Sequence, residues 1–270
     1  MTVFSTVTDA GRLVAPASPD HPVYYVVQTG GYRHFGQEVA GEHLPPVADL
    51  ERVMKKALAS NGYLPATDSA HRPSLLVVFN WGTHYRVDPI TAAISPEARI
   101  RNIVERAVLV CGYRFAQAIG QEYERGALAQ LSGANFSGPS FSSASPLRRL
   151  VDGDAKFQYL QYQIGEDVYF VVASAYDYAS VAQGNRTLLW RTNMTVNTAG
   201  VNMKETLPPL IATAAPFFGH ETASPEALQR RINRKGTVDI GQPTVMAYLD
   251  SSAPAATPAP AAPPAGASKP

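Results

Sequence analysis

The sequence predicts an α+β fold, with helices packed on a mixed or antiparallel sheet and a disordered Ala/Pro-rich C-terminal tail. Three observations carry this. Val47, Leu50, Val53, Met54, Ala57 and Leu58 recur at three-and-four spacing, the mark of a helix with one buried face. Residues 74–81 and 167–177 are short runs of β-branched and aromatic residues, the composition of buried strands. The elements run β, α, β, long α, β-hairpin, α, β, so strict βαβ alternation fails after the second strand. A doubly wound sheet is therefore the second choice.

Residues 1–22 are polar and weakly patterned, and read as an N-terminal extension to a single domain over 23–250. Within it, Val23–Gln28 reads as a buried strand closed by Gly30 and Gly31. Pro45 and Pro46 open the helix described above, Asp49 and Glu51 suit its start, Lys55 and Lys56 its end, and Gly62 its left-handed stop. The strand over 74–81 is apolar on both faces, as a central position requires. Residues 96–131 carry one apolar stripe from Ile100 to Tyr123, but Gly112, Gly120 and Gly126 predict two segments with a break.

Residues 132–146 hold six Ser, two Gly and two Pro, a flexible loop. The strand over 167–177 pairs with 187–197 in a hairpin with a longish loop. In the second of these, Leu188, Trp190, Thr192, Met194 and Val196 alternate with Leu189, Arg191, Asn193, Thr195 and Asn197. That pattern predicts one face on the core and one in water. A short helix around 205–215 follows, with strand candidates at 238–240 and 244–248. Residues 251–270 contain eight Ala, six Pro and one charge, too little apolar surface to offset ordering, so a disordered tail is expected.

Twenty-three basic residues against 22 acidic ones give a net charge of +1, which provides no field for steering nucleic acid. The densest basic cluster, Arg230, Arg231, Arg234 and Lys235, reads as a solvated helix end. No apolar stretch is long enough for a membrane-spanning helix, and no signal peptide is visible after Met1. The single Cys111 lies in an apolar run and reads as a small core hydrophobe.

Chemistry-bearing motifs are sparse. The six histidines show no helical pair of metal-ligand spacing, and no Cys cluster exists, so neither a metal nor a cofactor is expected. Thr29-Gly30-Gly31 leads into no phosphate-binding helix, and no G-x-S-x-G is present. A catalytic site could be assembled only by folding, from the dispersed loop residues His34, His84, Asp88, His220 and Glu221; a small hydrolase is the corresponding activity.

The helix ending Leu58-Ala59-Ser60-Asn61-Gly62-Tyr63, the strand Leu75-Leu76-Val77-Val78-Phe79, and the hairpin carrying Tyr176-Asp177 and Leu188-Leu189-Trp190-Arg191-Thr192 form a recurrent set. Together they resemble a class of uncharacterised bacterial cell-envelope domains, many of them lipoprotein-like. The resemblance covers residues 23–220, and this sequence lacks the lipobox cysteine of that class. It implies that Asp177 caps the hairpin turn, that Trp190 packs on the helices, and that the protein resides in the periplasm or envelope. A cytoplasmic protein is the alternative.

Without a catalytic motif, the expected function is non-enzymatic: binding or assembly with an unknown protein or envelope partner. The polar side chains Arg191, Asn193 and Thr195 are the candidate binding residues, together with the long helical stretch. The stripe Ala107, Cys111, Ala118 and Ile119 either packs within the chain or mates with a second copy in a homo-oligomer.

Overall fold

The computed structural model describes residues 1–37, 42–67, 69–88, 90–91, 95–131 and 154–229. The fold is α+β. The strands are β1 (Thr2–Val7), β2 (Val23–Phe35), β3 (Tyr63–Pro65), β4 (Leu75–His84), β5 (Val168–Asp177), β6 (Leu188–Asn197) and β7 (Glu226–Ala227). The helices are α1 (Asp9–Arg12), α2 (Val47–Ala59), α3 (Pro96–Cys111), α4 (Tyr113–Leu131), α5 (Asp154–Gly165), α6 (Tyr178–Ala182) and α7 (Met203–Ala214). One mixed sheet has the order β3-β2-β4-β5-β6-β1-β7. β3 and β4 run parallel to β2, and the remaining pairs are antiparallel.

One core lies between the sheet and helices α2 and α7. Leu50, Met54 and Leu58 of α2 meet Val77, Phe79, Val171 and Met194 of the sheet and Leu207 and Ile211 of α7. Each such fully buried side chain contributes about 1.5–3 kcal/mol relative to exposure. Gly62 follows α2 at φ +81°, where a Cβ would fall 2.1 Å from the carbonyl oxygen of Ser18. Left-handed backbone and lack of room both demand glycine there.

A second core joins α3, α4 and α5 through Ala107, Val110, Phe115, Ile119, Phe157 and Leu160. Its layer reaches the sheet through α3, which contacts β6 and β1. The break predicted in the long helix falls at Gly112 (φ +79°), where a Cβ would sit 2.0 Å from the ring of Phe4. Cys111 is buried beside it, and burial pushes its thiol pKa well up. Ala107, Cys111 and Ile119 belong to this intrachain core, so these three are not available to a second copy.

Three sequence expectations are corrected. Residues 1–22 are not an extension: β1 pairs with β6 along Thr2–Val7, and Val3 and Ser5 are wholly buried. β2 does not stop at the glycines; it runs to Phe35 through a register shift between Thr29 and Gly31, with Gly31 at φ +83°. A bulge of this kind uses glycine to continue a strand rather than to close it. The polar side of β6 is not in water, since Asn193 and Thr195 are buried and only Arg191 among the three candidates is exposed. The Ser-rich loop at 132–146, the Arg230–Lys235 cluster, the strand candidates at 238–240 and 244–248, and the tail over 251–270 lie outside the described residues.

Candidate functional site

Folding does not assemble the dispersed catalytic set. Asp88 is half-buried and accepts the backbone N–H of Thr91 at 2.9 Å and the hydroxyl of the same residue. Glu221 grips Arg12 through both carboxylate oxygens, at 2.8 and 2.9 Å. His220 lies with Nδ1 3.0 Å from the carbonyl of Phe218. Thr222, just beyond it, bonds Ser5 of β1. Ser5 stands in register, through Thr192 and Ala173, with Phe79 of β4. His84 is thus five residues further along its strand and three strands across from Ser5. At about 3.3 Å per residue and 4.8 Å per strand, that places His84 roughly 20 Å from the His220 region. Proton transfer between them is out of reach.

His84 is instead the centre of a buried polar knot under α3. Arg106, 1% exposed, donates from Nε to the carbonyl of Ile164 at 2.5 Å and from Nη2 to Asn102 Oδ1 at 3.1 Å. Its Nη1 lies 3.4 Å from His84 Nδ1. A guanidinium has no acceptor, so His84 Nδ1 must accept and its proton resides on Nε2. That Nε2 faces Glu105 Oε2 at 3.6 Å. Burial, then repulsion by Arg106, lowers the His84 pKa to about 4. Burial lowers Arg106 to about 10, partly offset by Asp167 and Glu166. Ile164 ends α5, so Arg106 supplies positive charge at the negative end of that helix. A neutral histidine locked between an arginine and a backbone frame is a packing device; it has neither an exposed lone pair nor a pKa suited to a base near neutrality.

A second polar cluster escaped the sequence reading. Near the C-terminal ends of β2 and β4, Tyr85 donates to Glu42 Oε1 at 3.0 Å and Tyr32 to Glu42 Oε2 at 3.5 Å. Tyr169 lies beside the same carboxylate. Thr83 links Tyr32 at 3.2 Å and His34 Nδ1 at 2.8 Å. Burial, with the negative charge of Glu42, raises Tyr169 to about 12 and Tyr85 higher still. These hydroxyls stay protonated, and the one that Tyr85 donates to Glu42 fastens the segment before α2 to the sheet. Residues 32, 42, 85 and 169 share no sequence motif, and only tyrosine at strand ends hinted at them.

Of the binding candidates, Arg191 donates from Nε to Ser174 Oγ at 3.1 Å. Asn193 donates to the carbonyl of Val108 at 3.0 Å, under α3. Thr195 is wholly buried. Asp177 ends β5 and its Oδ2 accepts the N–H of Ser180 at 2.7 Å, capping α6 within the hairpin connection. Trp190 packs on Tyr63 of β3 and stacks with Phe218. Among the described residues, a groove between α3 and α4 stays open. Ile100, Val104, Ala116 and Gly120 line it, with Glu97, Arg101 and Glu124 among its charged neighbours. Its volume is about 550 Å³.

No family model and no curated protein matches the chain. Among solved structures it is similar to a PDZ domain protein from Parabacteroides distasonis ATCC 8503, with 9% identity and a TM-score of 0.39. The match covers 83% of this chain and 37% of that one. So slight a likeness carries no argument about activity.

Proposed function

We propose that this chain is a non-enzymatic domain of the bacterial cell envelope, working by binding or assembly through the face formed by α3 and α4. The observation that carries the reading is the α3–α4 groove, with Ile100 and Val104 among charged residues on both helices. Apolar contact area with a polar rim is the anatomy of a protein-binding surface. The envelope part rests on the resemblance over residues 23–220 and on a tail of linker-like composition. Among the described residues no helix is long and apolar enough to cross a membrane.

A photo-crosslinking residue at Gln117 or Gln121, both on the groove, tests this in the native cell, with Lys55 of α2 as the control position. The reading expects a defined adduct from the groove positions, in the envelope fraction, that disappears with Val104→Glu. Adducts equally strong from Lys55, or a chain confined to the cytosol, would refute it. An adduct of twice the chain mass would identify the partner as a second copy.

A further inference from the structure

We propose that a cavity beside the starts of β2 and β4 binds a small anionic amphiphile, an acyl chain of roughly eight carbons carrying a carboxylate. This goes beyond the α3–α4 reading, shares no residue with that groove, and does not rest on it.

The cavity measures about 230 Å³. Val7, Val23, Leu75 and Leu189 line it with Tyr63 and Trp190. An apolar cavity of about 150 Å³ accepts benzene, so this one accommodates a group somewhat larger, on the order of eight carbons. The segment after α1 contributes Val14 and Ala15 to the lining. Leu13 is 88% exposed and Val14 44% exposed, an apolar doorstep on a stretch of chain otherwise facing water. The indole of Trp190 is buried in this wall beside Tyr63, with which it shares a side-chain hydrogen bond.

The charge comes from Arg12, also on the lining. Its guanidinium holds Asp9 at 2.6 Å and Glu221 at 2.8 Å, and all three side chains are about half exposed or more. Pairs of that kind contribute little to stability, so giving one up to another carboxylate costs little. A planar guanidinium accepts a carboxylate through two parallel N–H bonds. A chain in the cavity places its head at this arginine, and a neutral head forfeits the contact.

The full chain titrated with hexanoate, octanoate, dodecanoate and 1-octanol, followed through side-chain methyl resonances, decides the matter. Octanoate is expected to shift the methyls of Val7, Val14, Leu75 and Leu189 and to leave those of Val104 and Leu160 in place. Affinity should rise about fourfold per added carbon from hexanoate to octanoate, then flatten at dodecanoate. Arg12→Gln should weaken octanoate about tenfold and leave 1-octanol within about twofold. Ala15→Leu should abolish both, and Val14→Asp, at an exposed position, gives the same reading should the first variant lose its fold. No shift at these four residues with millimolar octanoate overturns the proposal. So does equal loss of octanoate and 1-octanol in Arg12→Gln, or unchanged binding in a folded Ala15→Leu protein.

Discussion

Asn193 of β6 reaches across to the last turns of α3 and donates its amide to the carbonyl of Val108, 3.0 Å away. The same carbonyl accepts the N–H of Gly112 as the helix ends. A strand position that alternation assigns to water is therefore a tie between the sheet and its second layer. Asn193→Ala should lower unfolding stability by about 1 kcal/mol. Denaturant titration at neutral pH measures it, and a change indistinguishable from zero would show that the tie is slack.

Gly112 separates α3 from α4 and abuts the ring of Phe4 in β1. Gly112→Ala meets both a left-handed backbone and the aromatic edge, so a loss of about 2–4 kcal/mol is expected. Shrinking the ring relieves only the second of these. Combining Gly112→Ala with Phe4→Ala should thus cost less than the two losses added together, and strict additivity in the double-mutant cycle would contradict the contact.

His84 predicts a pH dependence. Its folded pKa of about 4 lies below the ordinary histidine value of 6.5. Between these two values the unfolded chain binds a proton that the native one does not, so stability rises with pH across that window. The contribution is complete above about pH 6.5 and falls away as pH drops towards 4, by roughly 3 kcal/mol at most. His84→Gln keeps an acceptor for Arg106 and removes the proton. The difference between the two proteins' stability profiles should slope between pH 6.5 and 4 and be flat above; a flat difference throughout would place His84 in contact with water.

Glu42 should hold the approach to α2 against the sheet. Glu42→Ala leaves Tyr85 without its carboxylate acceptor, and a loss of about 1–3 kcal/mol is expected. Removing the negative charge should also lower the titration midpoint of Tyr85 and Tyr169, both raised in part by that carboxylate. Ultraviolet titration at alkaline pH reads this, and an unchanged curve would show that burial alone sets the values.

How much of this was legible in the sequence depends on how local each signal is. α2 carries its own periodicity, flanking prolines and terminal glycine within 18 residues, and forms where they indicate. The β5–β6 hairpin is similarly local. β1 has only six residues, and its burial is decided by β6, some 190 residues later. The glycines of β2 signal either a stop or a bulge, and parallel pairing with β4 selects the bulge. The Glu42 cluster and the His84–Arg106 knot draw on residues from distant elements, so no window of sequence contains them. The histidines that looked catalytic were the ones at element ends, where chain polarity reverses and a buried imidazole most easily finds a backbone or guanidinium partner.

The sheet order carries a further consequence for how this chain comes into being. Among the described strands β1 comes earliest in the chain, yet it is flanked by β6 and β7, the two that come latest. At 5–20 residues per second, about ten seconds or more separate the emergence of β1 from that of its partner. During that interval Val3 has no core to enter, and β1 is a loose strand with both edges bare. β5 and β6 can pair as a hairpin, but closure of β1 on β6 brings together residues more than 180 apart, the slowest class of contact. A holdase that shields the nascent N-terminal segment, or a slow stretch of translation before β6, would act on this strand before any other part of the fold.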